Sequence, residues 1–129
     1  MTDHTGFEFL VLEKDHLVAA DMQGGLAAAL PGCTVTHVLD PCDVVAHLQG
    51  WDESSRRQLV LVTKLTISQM EELGLDQLVA SANAKLVLRQ GDDPVEAAAA
   101  RGSFSLPSPF VEEDLRALAD HLLHQSAAA

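Results

Sequence analysis

Basic residues are scarce in this chain: Lys and Arg number 8 against 19 Asp and Glu, a formal charge of −11 over 129 residues. A surface of that sign repels phosphate backbones and anionic lipid head groups. The eight cations are scattered along the chain rather than gathered, so neither nucleic acid nor a membrane surface is an expected partner. Cysteine is scarcer still. Cys33 and Cys42 form no C-x-x-C pair and no disulfide framework, the usage expected of a reduced cytoplasmic protein. No apolar run approaches the ~20 residues that span a bilayer, and the polar, acidic opening Met1-Thr2-Asp3-His4-Thr5-Gly6 does not read as a secretory signal. The expected location is the cytoplasm. No glycine-rich phosphate loop follows the first apolar run, which removes the chemistry of a dinucleotide-binding fold.

What remains is ordinary globular composition, 47% hydrophobic and 21% charged, enough for one domain over residues 1–129 with its core from about 7 to 124. Val-, Leu- and Phe-rich runs alternate with helical patterns. Phe7–Leu12 predicts a first strand, and residues 16–30 a helix with Val18, Met22, Leu26 and Leu30 at helical spacing. Pro31-Gly32 closes it. Residues 34–39 alternate polar and apolar, as an edge strand does, and Asp40 caps a short helix from Pro41 to the stop at Gly50. After a polar loop over 51–57, residues 59–63 form the most continuous apolar run, the mark of a central strand covered on both faces.

Ser68-Gln69-Met70-Glu71 predicts a capping box opening a helix that reaches Ser81. Lys85–Arg89 makes a fourth strand, residues 92–101 a short Ala-rich helix, and residues 103–106 a short fifth strand. Val111, Leu115, Leu118 and Leu122 mark one face of a last helix, with Glu112, Glu113 and Asp114 at its positive end and a frayed tail from Gln125. Five β-α units predict an α/β fold, a parallel sheet between two helical layers.

In an open α/β sheet, function sits in the crevice at the carboxyl ends of the strands. Those ends carry Glu13-Lys14-Asp15, Asp40, Thr63-Lys64, Arg89-Gln90 and residues 105–109. Residues 10–22 resemble the end of strand one and the start of helix one in a bacterial two-component response-regulator receiver domain. Leu106-Pro107-Ser108-Pro109-Phe110, followed by Leu115, resembles that family's Lys-Pro-Phe segment after strand five. The resemblance spans about residues 7–124 and implies a flavodoxin-like (βα)5 doubly wound sheet in three layers with strand order 2-1-3-4-5.

The resemblance also implies roles, and nearly every one has lost its chemistry. The phospho-accepting carboxylate at the end of strand three falls on Thr63, which cannot form an acyl phosphate. The two acids that hold Mg²⁺ fall on Glu13 and Lys14, and an ammonium supplies no ligand oxygen to a hard cation. The hydroxyl that binds phosphoryl oxygens falls on Arg89, the lysine on Ser108, and the switch aromatic on Ser105. Only Glu13 and the Pro109-Phe110 turn match.

Lys14, Lys64 or Arg89 pairing with Glu13 or Asp15 would place a tethered cation where the metal sits. The alternative is that these side chains point into water, where a pair contributes ~0–1 kcal/mol. The six histidines have no zinc-site spacing and read as structural. Helix N-termini lower thiol pKa, so Cys42, in the first turn of a helix, is the less idle of the two cysteines, with small-residue packing the expected role of both.

The resulting expectation is a degenerate, non-enzymatic receiver with no cofactor and no metal. It would act through a protein partner or as a homodimer by a face of helix four, strand five and helix five that includes Glu96, Ala100, Ser103, Ser105 and Leu115. Two alternatives use the crevice, beside a third, a purely structural subunit whose sign is an obligate oligomer with a large apolar interface. One is an atypical regulator phosphorylated on Glu13, Asp15 or Asp40. The other is a small-molecule-binding module in the same crevice, whose sign is an apolar pocket with convergent polar groups.

Overall fold

The Val-, Leu- and Phe-rich runs lie side by side as five parallel strands in the order 2-1-3-4-5. In this computed structural model, residues 6–51, 57–90, 96, 103–108 and 110–128 are described. The strands are β1 (Phe7–Leu12), β2 (Thr34–Val38), β3 (Gln58–Thr63), β4 (Lys85–Arg89) and β5 (Phe104–Leu106). The helices are α1 (His16–Ala29), α2 (Pro41–Gln49), α3 (Ile67–Glu72), α4 (Leu75–Ser81) and α5 (Glu112–Ala128). The flavodoxin-like order expected from the resemblance is the order found. Because the chain reverses direction across the sheet between β1 and β3, the crevice opens at their carboxyl ends.

Alternation of side chains along each strand makes two cores. Phe9, Val11, Val60, Val62 and Val87 pack with Met22 and Leu26 of α1 and with Leu118 and Leu122 of α5. Leu10, Leu12, Leu59, Leu61 and Leu88 pack with Val44 and Leu48 of α2, Met70 of α3, and Leu75 and Val79 of α4. The two-residue period of a strand then sorts the polar residues at the strand ends. Arg89, two past Val87, belongs to the α1/α5 side. Thr63, two past Leu61, belongs to the α2/α3 side.

Gly25 lets α1 approach α5 closely. A Cβ on it would lie 2.2 Å from the Leu115 Cδ1 atom. Leu115 is 2% exposed and sits in the core, so its place on the expected interaction face is corrected: the stripe Leu115, Leu118, Ala119 and Leu122 faces inward. Val111 is not part of that stripe. It precedes α5, is exposed, and gives its N–H to the Asp114 carboxylate at 2.7 Å.

Asp40 caps α2 as its position predicts, and the structure adds Asp15 as the cap of α1. The capping box of α3 lies two residues earlier than expected. Thr66 accepts from the Gln69 N–H at 3.1 Å, and the Gln69 side chain accepts from the Thr66 N–H at 2.9 Å. Thr66, with ψ of 162°, is still extended as an N-cap must be, whereas Ser68 is already helical. The single helix expected to reach Ser81 breaks at Gly74, whose φ of 71° is left-handed, into α3 and α4. At the other end, α5 continues to Ala128 rather than fraying from Gln125, consistent with the high helix propensity of alanine. The Ala-rich helix expected over 92–101, most of the loop over 51–57, and Pro109 lie outside the described residues. Among the described residues no helix is long and apolar enough to cross a membrane.

Candidate functional site

β1 hands the chain to Glu13, whose backbone is held on two sides. Its N–H donates to the Val38 carbonyl at 3.1 Å, prolonging the ladder past the strand. Its own carbonyl accepts from His37 Nε2 at 2.6 Å, which makes Nε2 the protonated ring nitrogen. His16 stands edge-on to the His37 ring at 5.5 Å between centroids. The Glu13 carboxylate is equally committed. Oε2 accepts the Asp15 N–H at 2.9 Å, and Oε1 accepts Nη1 of Arg89 in an ion pair.

Arg89 reaches Glu13 from the last position of β4. In the sheet order β1 and β4 are the two neighbours of β3, so the pair arches across the carboxyl end of β3. Two strand spacings of about 4.8 Å separate the backbones, a gap that suits the length of an arginine. The guanidinium is enclosed: the Arg89 side chain is 4% exposed and that of Glu13 12%. Nη2 donates to Ser108 Oγ at 3.1 Å, and the guanidinium carbon stands 5.6 Å from the centroid of the Phe110 ring, within cation–π range. Arg89 Nε is buried without a hydrogen-bond partner among the described residues.

The tethered cation is therefore Arg89 and its acid is Glu13. Lys14 and Lys64 are exposed and join no ion pair among the described residues. Asp15 is occupied as the cap of α1, accepting the Leu17 and Val18 N–H groups at 2.9 and 3.4 Å. Thr63 at the end of β3 is fully buried, and its Oγ1 accepts the Leu65 N–H at 3.0 Å, turning the chain out of the sheet. On the α2/α3 side a cavity of about 260 Å³ opens, lined by Leu12, Glu13, Lys14, Leu39, Pro41, Thr63, Lys64 and Leu65.

Other sequence-derived positions stay apart from this cluster. Ser105 pairs with Leu88 in the ladder between β4 and β5; it and Ser103 are half-buried, and Glu96 is exposed. Ala100 lies outside the described residues. His37, Ser108 and Phe110 hold the pair or its backbone, and His16 stands against the His37 ring. His16, Ser108 and Phe110 stand in segments singled out by resemblance, and His37 carries no local signal. Among the described residues no three His, Cys, Asp or Glu side chains are grouped to hold a metal ion.

Asp40 caps α2 through the Cys42 N–H at 2.9 Å, and this overturns the expectation for Cys42. Its thiol pKa is raised, first because it hydrogen-bonds the Asp40 carboxylate and then by the charge of Asp40, with burial and Asp43 adding less. The nearby carboxylate outweighs the helix N-terminus. Cys33 is also raised, chiefly by burial. Asp40→Asn keeps a capping side chain and removes the charge. The expected result is faster alkylation of Cys42 by iodoacetamide near pH 8, read by peptide mass spectrometry, with Cys33 unchanged. An unchanged Cys42 rate would show that Asp40 does not control the thiol.

No protein-family model matches the chain, and no curated protein matches its sequence. Among solved structures it is similar to one described as the structure of a transiently phosphorylated "switch" in bacterial signal transduction. The TM-score is 0.59 at 20% identity, over 91% of this chain and 94% of that one. A likeness at this identity establishes the fold.

Proposed function

We propose that this chain is a receiver-like signal-transduction domain that has lost its phospho-acceptor and metal site and works by protein–protein contact without phosphorylation or catalysis. The observation that carries the reading is the Arg89–Glu13 pair closing over the end of β3, where the terminal residue is Thr63. Phosphoryl transfer to such a site needs a free carboxylate at that end and oxygen ligands for a divalent cation. Thr63 supplies no carboxylate, and both oxygens of Glu13 are engaged. A guanidinium does not deprotonate in a protein, so this cation remains where a metal would have to come and go.

The receiver-like sequence segments and the fold of a phosphorylated bacterial switch support the signalling context. A cytoplasmic location belongs to the same reading. The contact surface in this proposal is the side that bears exposed Glu96 and half-buried Ser103 and Ser105, with a protein partner or a second copy of the chain opposite it.

Incubation with acetyl phosphate and Mg²⁺ followed by intact-mass measurement tests the proposal. The expected spectrum shows no added phosphoryl group. An acid-labile gain of one phosphoryl group would overturn it in favour of transfer to Glu13, Asp15 or Asp40.

A further inference from the structure

We propose that the α2/α3 half of the crevice binds a small carboxylate with an apolar body, its carboxylate between Lys14 and Lys64 and its body on Leu12, Leu39, Pro41 and Leu65. The Arg89–Glu13 pair lies on the α1/α5 side of the sheet and leaves this half open. The cavity of about 260 Å³ falls just below the range of about 300–1,000 Å³ typical of drug-sized ligands, which sets the size of the occupant below drug scale. Its floor is buried Thr63 and its walls are largely aliphatic, so an apolar group gains by displacing water there.

Charge selects the head group. The chain has 8 cations against 19 acids, yet two of the eight line this one cavity. They follow β1 and β3, which are adjacent and in register from Phe7↔Gln58 to Val11↔Val62. Two like charges on neighbouring strand ends repel, and an anion between them relieves that repulsion. Glu13 also lines the cavity, but Arg89 and the Asp15 N–H take up its two oxygens.

Inorganic phosphate is disfavoured. The best phosphate fork in the crevice, Arg89, is turned to Glu13 and Ser108. The Leu65 N–H is already donated to Thr63, and phosphate offers nothing to the aliphatic wall. The expected ligand class is a monocarboxylate bearing a short alkyl or single aromatic group.

Amide-resolved NMR titration of the full chain with phenylacetate and hexanoate tests this, with phenylacetamide and inorganic phosphate as comparisons. Saturable shifts are expected at Leu12, Leu39, Thr63 and Leu65 for both carboxylates. Binding of phenylacetamide and of phosphate should be weaker by about tenfold or more. The double variant Lys14→Gln/Lys64→Gln, exposed at both sites and so expected to keep its fold, should lose about tenfold in phenylacetate affinity. Its phenylacetamide binding should not change. The proposal is overturned if neither carboxylate saturates, if phosphate binds as well as they do, if the double variant binds phenylacetate unchanged, or if the shifts map elsewhere. None of these outcomes bears on the phosphoryl-transfer measurement, so the two proposals fail separately.

Discussion

Replacing Arg89 by methionine is expected to destabilise the domain by about 3–5 kcal/mol, because it leaves the Glu13 carboxylate enclosed without its cation. Glu13→Gln should cost as much or more. Of the two groups the guanidinium is the more buried, at 4% side-chain exposure against 12%, and its Nε already has no partner among the described residues. Glu13 lies nearer the rim and retains the Asp15 N–H, which places Arg89→Met toward the lower end of the range. The combined variant Glu13→Gln/Arg89→Met should recover most of the loss, since replacing both members of a buried pair is often close to neutral. Urea unfolding of the four proteins yields the coupling energy directly. A loss below about 1 kcal/mol in both single variants would place the pair among solvated surface pairs and remove it as the feature that closes the crevice.

Thr63→Asp is the second variant with a large expected effect. It restores an acid at the end of β3 and should still accept no phosphoryl group from acetyl phosphate and Mg²⁺. Glu13 remains tied to Arg89, and no second carboxylate stands where Lys14 is. The substitution should lower stability by about 2–4 kcal/mol near neutral pH, because a fully buried position then holds a carboxyl group. Burial raises the pKa of such a group above its unfolded value of about 4. The folded state then binds more protons than the unfolded one, so stability falls as pH rises through that value. Unfolding midpoints compared at acid and neutral pH check the sign: the penalty should shrink at acid pH. Covalent phosphorylation of this single variant would show that the missing acid alone had silenced the site.

Secondary structure was legible wherever a local signal decided it. β1, β3 and β4 follow from continuous apolar runs, and the Asp40 cap follows from a side chain that bonds an N–H two residues away. Errors arose where two local signals competed. Thr66 and Ser68 each stand three residues before a Gln or Glu, and only the extended backbone at Thr66 selects the first. Gly74 lies inside the single helix expected to reach Ser81, and its left-handed φ makes it a break. At Cys42 the helix N-terminus favoured a lowered thiol, while the distance to Asp40 decided the opposite.

By itself the sequence determined that no carboxylate stands at the end of the central strand, that a cation follows Glu13, and that the strands alternate with helices. These are statements about residue identity and about neighbours along the chain. Tertiary structure decided which of Lys14, Lys64 and Arg89 neutralises Glu13, how closely the last helix packs on the first, and that half of the crevice stays open. Glu13 and Arg89 are 76 residues apart, and they meet only because β1 and β4 flank β3. Leu115, on the apolar stripe of its helix, packs as closely as it does because Gly25, on another helix, leaves room for it. No pattern in a short window of residues carries either fact, because each depends on the distance between segments that only the folded sheet brings together.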